Sequence, residues 1–363
     1  MPKRILIINP FGVGDVLFST PLISCLKKTD PGLYIAYICN IRTKELLETN
    51  PEIDEVFVFE RDHYRALWKK NKLKGIKKLF SFWSYIKKNK FDMAIDLSLG
   101  KEYAFFCWLI GIKERIGFDY KSRGLFLTEK IAFTGFNDKL ISEYYLDTIR
   151  SKIDLSRIEG LKTTIVTSKD DKGYIDDFLK SASIEKRDLL AGIMPGGGES
   201  FGKDKINMRR WSVDKFSRLA DRMIKELNAK VVLMWAPGEE GVVEQVKNIM
   251  KENVIISPKT TLRQMAELCS RCSVVVCSEG GPLHIASSQA VPTVSMFGPV
   301  DDKVYGPYPP GDLNRVITRD IECRPCYKRF KVEKCEDRRC LKEITADEVF
   351  SEVSDILKHG GMR

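Results

Sequence analysis

The sequence predicts an α/β protein made of two Rossmann-like halves. Length is the first reason: 363 residues exceed one ordinary domain and suit two of roughly 170 each. The second is an alternation of short apolar, β-branched runs with stretches of helical spacing, the pattern of a parallel sheet covered on both faces. The third is that this alternation restarts at Leu189, beyond a junction near residues 169–185.

In the first half, residues 4–9 are short, apolar and β-branched and run into a Gly-rich turn. Residues 16–28 then have helical spacing, with Val16, Leu17, Thr20, Leu22, Ile23 and Leu26 apolar or small. Residues 34–39, 55–59 and 91–97 supply further strands. In the second half, 190–194 is a strand ending in Pro195-Gly196-Gly197-Gly198, and 212–228 is a helix with Ser212 as N-cap. Strands at 230–235, 253–256, 273–277 and 292–297 alternate with helices at 239–250, 262–270 (capped by Thr261) and 281–289. The expected division is 1–168, 169–344, and a C-terminal helix and tail at 345–363. Ligand sites in such sheets lie at the carboxyl ends of the strands, so two halves of this kind would face each other across a cleft.

Hydrophobic residues make up 43% of the chain, enough for two cores. No stretch approaches the ~20 unbroken apolar residues of a membrane helix. The first apolar run, residues 5–8, lies too near the terminus to follow the cationic segment of a signal peptide. These features lead to the expectation of a cytoplasmic protein. Ten cysteines fit that compartment: Cys25, Cys39, Cys107, Cys269, Cys272 and Cys277 lie mostly in apolar runs, where a thiol behaves as a small hydrophobe. A net charge of +10 favours anionic partners: phosphorylated small molecules, an acidic membrane surface or nucleic acid. No nucleic-acid motif accompanies the charge, and nucleic acid is not an expected partner.

Three motifs carry chemistry. Asn9-Pro10-Phe11-Gly12-Val13-Gly14-Asp15 follows the first strand. Its glycines allow a tight turn and close approach of a ligand, and Asp15 falls at a strand-to-helix junction, as an exposed carboxylate or as a helix cap. The motif lacks the third glycine and distant acidic residue of a dinucleotide fingerprint. Next, Gly196, Gly197 and Gly198 free backbone N–H groups to cradle phosphate, and Arg209-Arg210-Trp211 sets two guanidinium groups before a helix, able to clamp a diphosphate or simply to be solvated. Last, Ser278-Glu279-Gly280-Gly281-Pro282-Leu283-His284 closes a strand and opens a helix. Pro282 suits a first helical turn, and the free N–H groups and dipole of that start bind anions. His284 is either a packed first-turn histidine or a ligand-facing ring.

Gly12-x-Gly14-Asp15, the Gly-rich loop followed by a basic residue and Trp211, and Gly281-Pro282-Leu283-His284 ahead of Phe297-Gly298-Pro299 occur in the order seen in the heptosyltransferases of glycosyltransferase family 9. The chain resembles that family along nearly its whole length. The resemblance implies a GT-B fold, transfer with inversion at the anomeric carbon, and catalysis without a metal. It also implies a nucleotide-sugar donor, in the first place ADP-heptose, and an anionic lipid-linked saccharide acceptor such as a lipopolysaccharide core. By motif position Asp15 matches the family's proposed general base, with Gly12 and Gly14 on the acceptor side. Gly196, Gly197, Gly198, Arg209, Glu279, Gly280, Gly281, Pro282 and His284 fall on the donor side. Arg209 stands where Lys is usual, Gly280 where Ser or Thr is usual, and Glu279 where Asp is usual. Rival functions on the same fold are a nucleotide-sugar epimerase and a non-catalytic nucleotide-sugar or anionic-glycan binder.

Two further constellations stand apart. Residues 61–90 carry eleven Lys or Arg and one Asp, interleaved with aromatic and aliphatic residues; Trp68, Ile76, Phe80 and Trp83 are spaced to share a helix face. Basic amphipathic helices of this kind bind anionic membranes, so the inner-membrane surface is a candidate partner, the alternative being a covering helix with a solvated Lys face. Cys323-x2-Cys326-x8-Cys335-x4-Cys340 has the composition of a structural zinc or iron site, with reduced thiols or disulfides as alternatives.

Overall fold

The computed structural model describes residues 2–198, 208–328, 330–332 and 335–360. The chain divides into two compact units, one ending at Lys162 and the other beginning at Thr163.

The first unit is built on β1 (Arg4–Ile8), β2 (Tyr34–Cys39), β3 (Glu55–Val58), β4 (Met93–Asp96), β5 (Glu114–Tyr120) and β6 (Glu129–Phe133). They pair in the order β3-β2-β1-β4-β5-β6, parallel throughout. The central strands are nearly continuous apolar runs, as a sheet buried on both faces requires. β5 and β6 carry Glu114, Arg115, Glu129 and Lys130, charges that disguised them as strands in the sequence. The expected helix at 16–28 is two helices, Val13–Phe18 and Thr20–Thr29. Pro21 opens the second, where its missing N–H costs nothing but where a continuous helix would need it. At the break, the buried Ser19 hydroxyl donates to the Val16 carbonyl at 2.7 Å and meets the Tyr37 hydroxyl at 2.7 Å.

The second unit repeats the plan with β7 (Leu190–Met194), β8 (Lys230–Leu233), β9 (Ile255–Ile256), β10 (Val274–Ser278), β11 (Thr293–Met296) and β12 (Asn314–Ile317). Their order is β12-β11-β10-β7-β8-β9, again parallel. The helix Val213–Leu227 buries Phe216, Leu219, Ala220 and Met223. Ser212 is its N-cap by position but makes no side-chain capping bond, whereas the Thr261 hydroxyl accepts from Gln264 N–H at 3.2 Å. The C-terminal helix Ala346–Gly360 lays Val349, Phe350, Val353 and Ile356 into the same core. All six scattered cysteines are buried; burial pushes Cys25 up to about 11 and Cys39 up to about 12.

The two sheets share one topology. In each, the first and fourth strands in chain order lie side by side, and the strand order reverses between them: β1 beside β4, and β7 beside β10. Ligands of open α/β sheets bind at that switch point, off the carboxyl ends of the strands.

Candidate active site

In the first unit the switch point carries the turn after β1. Gly12 is extended at φ −79° and ψ −177°, and neither Gly12 nor Gly14 takes a positive φ. The turn therefore does not need glycine for handedness. Asp15 sits at the third position of the helix Val13–Phe18, where its carboxylate accepts from Gly12 N–H at 3.3 Å. Asn9 holds the turn from within, its amide donating to the Asp15 carbonyl at 3.0 Å and its side-chain oxygen accepting from Phe11 N–H. Asp15 is half-buried. It caps the helix and still presents an edge to solvent.

Sequence reasoning passed over a second carboxylate at this switch point. Asp96 ends β4, opposite Ile8 of β1, and is 4% exposed. Burial pushes it up to about 6, with hydrogen bonds from Ser98 and the Ala104 backbone working the other way. It accepts from Ser98 N–H at 2.9 Å and so shapes the loop leading into the next helix. Only its place at the end of an apolar strand could have marked it.

In the second unit the switch point gathers the remaining motifs. Gly197 and Gly198 take φ of +86° and +76°, and Gly280 takes +135°, all in the region that glycine alone tolerates cheaply. A Cβ on Gly280 would lie 2.5 Å from the Gly197 carbonyl oxygen, and one on Gly198 would lie 3.7 Å from Pro282. The loops after β7 and β10 thus touch backbone to backbone. That close approach accounts for glycine at 280. The helix Gly281–Ser288 begins there, with Pro282 in its first turn.

Trp211 pins the basic pair between these loops. Its ring is buried, its backbone N–H donates to the Ser278 hydroxyl at 3.0 Å, and its indole N–H donates to the Ile344 carbonyl at 3.0 Å. Neither arginine is a solvated surface group. Arg209 pairs with Glu279 at 3.3 Å, the two side chains being 8% and 1% exposed. Arg210 donates to the Gly196 carbonyl and stands 3.6 Å from Glu239. Burial raises the Glu279 carboxyl, countered by Arg209 and by the backbone N–H groups of Gly298 and Val300. His284 is 4% exposed; burial, with Arg209 beside it, pushes the ring down to about 3, so it is a neutral, packed imidazole at neutral pH.

Glu239 is the residue that sequence reasoning missed here. It is 3% exposed, accepts from Gly198 N–H at 2.9 Å and from Ala236 N–H at 3.1 Å, and fills the space a Cβ on Gly196 would need, with its carboxylate carbon 2.0 Å away. It braces the glycine loop from below. Its signal in the sequence was faint: an acidic residue after the turn that follows β8.

The basic segment is two helices, Arg61–Lys70 and Lys72–Lys88, broken at Asn71. Trp68 and Phe80 are exposed (46% and 50%), but Trp83 is a core residue at 1% and stacks flat on Phe106 at 5.0 Å. The shared face expected for Trp68, Ile76, Phe80 and Trp83 therefore does not form; Gly75, Trp83 and Ile86 turn inward at helical spacing. In the C-terminal segment Cys323, Cys326, Cys335 and Cys340 are free thiols, and Cys335 accepts from Arg338 N–H at 3.3 Å. Among the described residues no group of three or more His, Cys, Asp or Glu side chains stands where it could hold a metal ion, so the zinc or iron suggested by the spacing gains no support there.

The first unit sets the carboxylate of Asp15 at its switch point, and the second gathers glycine loops and two arginines at its own. The chain belongs to glycosyltransferase family 9 (heptosyltransferase), whose profile it matches over residues 79–336. It is 24% identical to lipooligosaccharide heptosyltransferase 2 of Haemophilus influenzae, over 98% of this chain and 99% of that one. A glycosyltransferase family 9 crystal structure from Veillonella parvula superposes with a TM-score of 0.82 at 22% identity, over 98% of both chains. The Escherichia coli ADP-heptose lipopolysaccharide heptosyltransferase II does so with 0.76 at 20% identity, over 99% of both. The fold is that of these glycosyltransferases.

Proposed function

We propose that the protein is an inverting glycosyltransferase that moves heptose from ADP-heptose onto a lipopolysaccharide core or a related saccharide, without a catalytic metal. The observation that carries this is the pairing of family membership with the two switch points. In a single displacement, a base takes the proton of the acceptor hydroxyl as its oxygen attacks the anomeric carbon, and the C–O bond to the diphosphate breaks. Asp15 is the base, a role worth roughly 10²–10⁴-fold. Negative charge then builds on the leaving diphosphate. The N-terminus of the helix Gly281–Ser288, the N–H groups of Gly196 and Gly197 and the Arg209 guanidinium stabilise it, the part a divalent cation would otherwise play, while the Gly198 N–H is held by Glu239. Glu239 and Glu279 hold these groups rather than touch the reacting atoms.

The acceptor is lipid-linked and anionic, and the protein works at the inner-membrane surface from the cytoplasmic side. Among the described residues no helix is long and apolar enough to cross a membrane. The exposed lysines of Arg61–Lys70 and Lys72–Lys88 supply the attraction, at about 1 kcal/mol for each cation near an anionic surface.

The test is transfer from a panel of ADP- and UDP-sugars to core saccharide, with chelator present throughout. ADP-heptose is expected to be the best donor, with inversion seen at the new linkage by NMR and no loss of rate in chelator. Transfer only from a UDP-sugar, or only with added cation, would overturn the donor or the metal-free assignment respectively.

A further inference from the structure

The first unit exposes an apolar cluster that lies outside the basic segment. The helix Glu102–Leu109 buries Tyr103, Ala104 and Cys107 and leaves Trp108 and Leu109 52% and 44% exposed. The loop between β5 and β6 carries Leu125, 72% exposed, and brings Phe126 against Trp108. Phe105, Trp108 and Phe126 form a closed triangle of rings, with centroids 5.0, 5.6 and 5.9 Å apart. The loop is built rather than loose: Arg115 donates to the Phe126 carbonyl at 2.6 Å, and Asp119 accepts from Gly124 N–H at 2.8 Å.

Folding gives no reason to leave a tryptophan and two leucines in water when the same helix has a buried face. Burying such side chains is worth roughly 1.5–3 kcal/mol each, and contiguous exposed apolar patches mark interaction surfaces. The flanking charge identifies the partner. Lys101, Lys113, Lys121 and Arg123, all exposed, flank these segments along the chain, and Glu102 is the one exposed acid among them. An exposed aromatic and aliphatic cluster on segments with a cationic surplus matches the interfacial zone of an anionic bilayer, where indole rings settle at headgroup depth and cations meet lipid phosphates. The cluster is also continuous with the basic helices. Phe105 meets Phe106 at 5.2 Å, and Phe106 stacks on Trp83 of Lys72–Lys88, so both helices belong to one layer over the same sheet.

We infer that the Trp108–Leu109 and Leu125–Phe126 edge is the apolar anchor by which this unit enters the surface of an anionic membrane. The inference rests on the membrane-surface reading above but assigns insertion to different residues. The basic helices supply a salt-sensitive attraction; this edge supplies the part that salt does not screen.

The test uses the full-length protein with vesicles of phosphatidylethanolamine and phosphatidylglycerol. Wild type is expected to co-sediment, to retain part of its binding at high salt, and to show blue-shifted tryptophan emission quenched by brominated lipid. Trp108→Gln with Leu125→Gln is expected to lower vesicle affinity by at least about tenfold, the scale of withdrawing two large apolar side chains, and to abolish the salt-resistant fraction. Trp108→Phe is expected to keep the affinity and lose most of the quenching, which guards against a folding defect in the double variant. Wild type that binds vesicles while the double variant binds equally well at high salt would overturn this anchor and leave the membrane reading standing. Wild type that ignores anionic vesicles at low salt would remove both. A wild-type dimer that the double variant converts to monomer, with vesicle binding unchanged, would assign the edge to self-association instead.

Discussion

The two switch points share one topology and differ in the loops that fill them. After β1, a turn of ordinary backbone ends in a carboxylate, Asp15, held by the Gly12 N–H. After β7 and β10, loops of left-handed glycine gather Arg209 and Arg210, each beside a buried glutamate. One fold thus offers the proposed base and the proposed anion cradle equivalent positions in its two units. Topology supplies the location, and a handful of residues decides the chemistry.

The comparison is most sharply tested by removing the charge of each side in turn. Asp15→Asn keeps the cap geometry and loses the base; turnover is expected to fall by roughly 10²–10⁴-fold, measured as released ADP. Arg209→Ala removes a charged hydrogen-bond donor and is expected to weaken donor binding by about 1.5–3 kcal/mol, read by calorimetry. It also leaves Glu279 buried without its guanidinium partner, so a loss of stability is expected alongside. Gly280→Ala tests the close approach: with φ at +135° and a Cβ 2.5 Å from the Gly197 oxygen, strain of about 1–3 kcal/mol is expected to open the cradle. Donor affinity should then drop while Asp15 chemistry, seen as slow turnover at saturating donor, survives.

The smallest effect belongs to Asp96, the buried carboxyl at the first switch point. Its folded pKa is raised from 3.8 to about 6. Between those values the native protein holds a proton that the unfolded chain has released, so stability falls as pH rises through this window and the penalty is complete above it. Asp96→Asn is expected to add roughly 1–3 kcal/mol of stability at pH 7.5 and to flatten the pH dependence between 4 and 6, followed by urea titration. An unchanged slope would show that Asp96 ionises without cost.

Much of this was legible in the sequence because the signal was local. Nearly continuous apolar strands, Gly-rich turns and the Pro282 helix start give their positions away within a few residues. The misses share a physical cause. β5, β6 and β12 lie on the outer side of their sheets, where charged residues interrupt the apolar pattern. Trp83 was placed on an exposed face because helical spacing cannot tell which side of a Lys-rich helix meets the sheet. Glu239 braces a loop 41 residues away, and no window along the chain contains both partners. The pairing of Arg209 with Glu279, 70 residues apart, was hidden in the same way.

The division of labour between the two switch points is tested most directly by calorimetric titration of ADP into wild type, Asp15→Asn and Arg209→Ala in parallel. The account predicts an unchanged affinity for Asp15→Asn and an affinity at least about tenfold weaker for Arg209→Ala, the lower end of a lost charged hydrogen bond. Equal weakening in both variants, or full affinity in Arg209→Ala, would contradict the assignment of base and anion cradle to separate units.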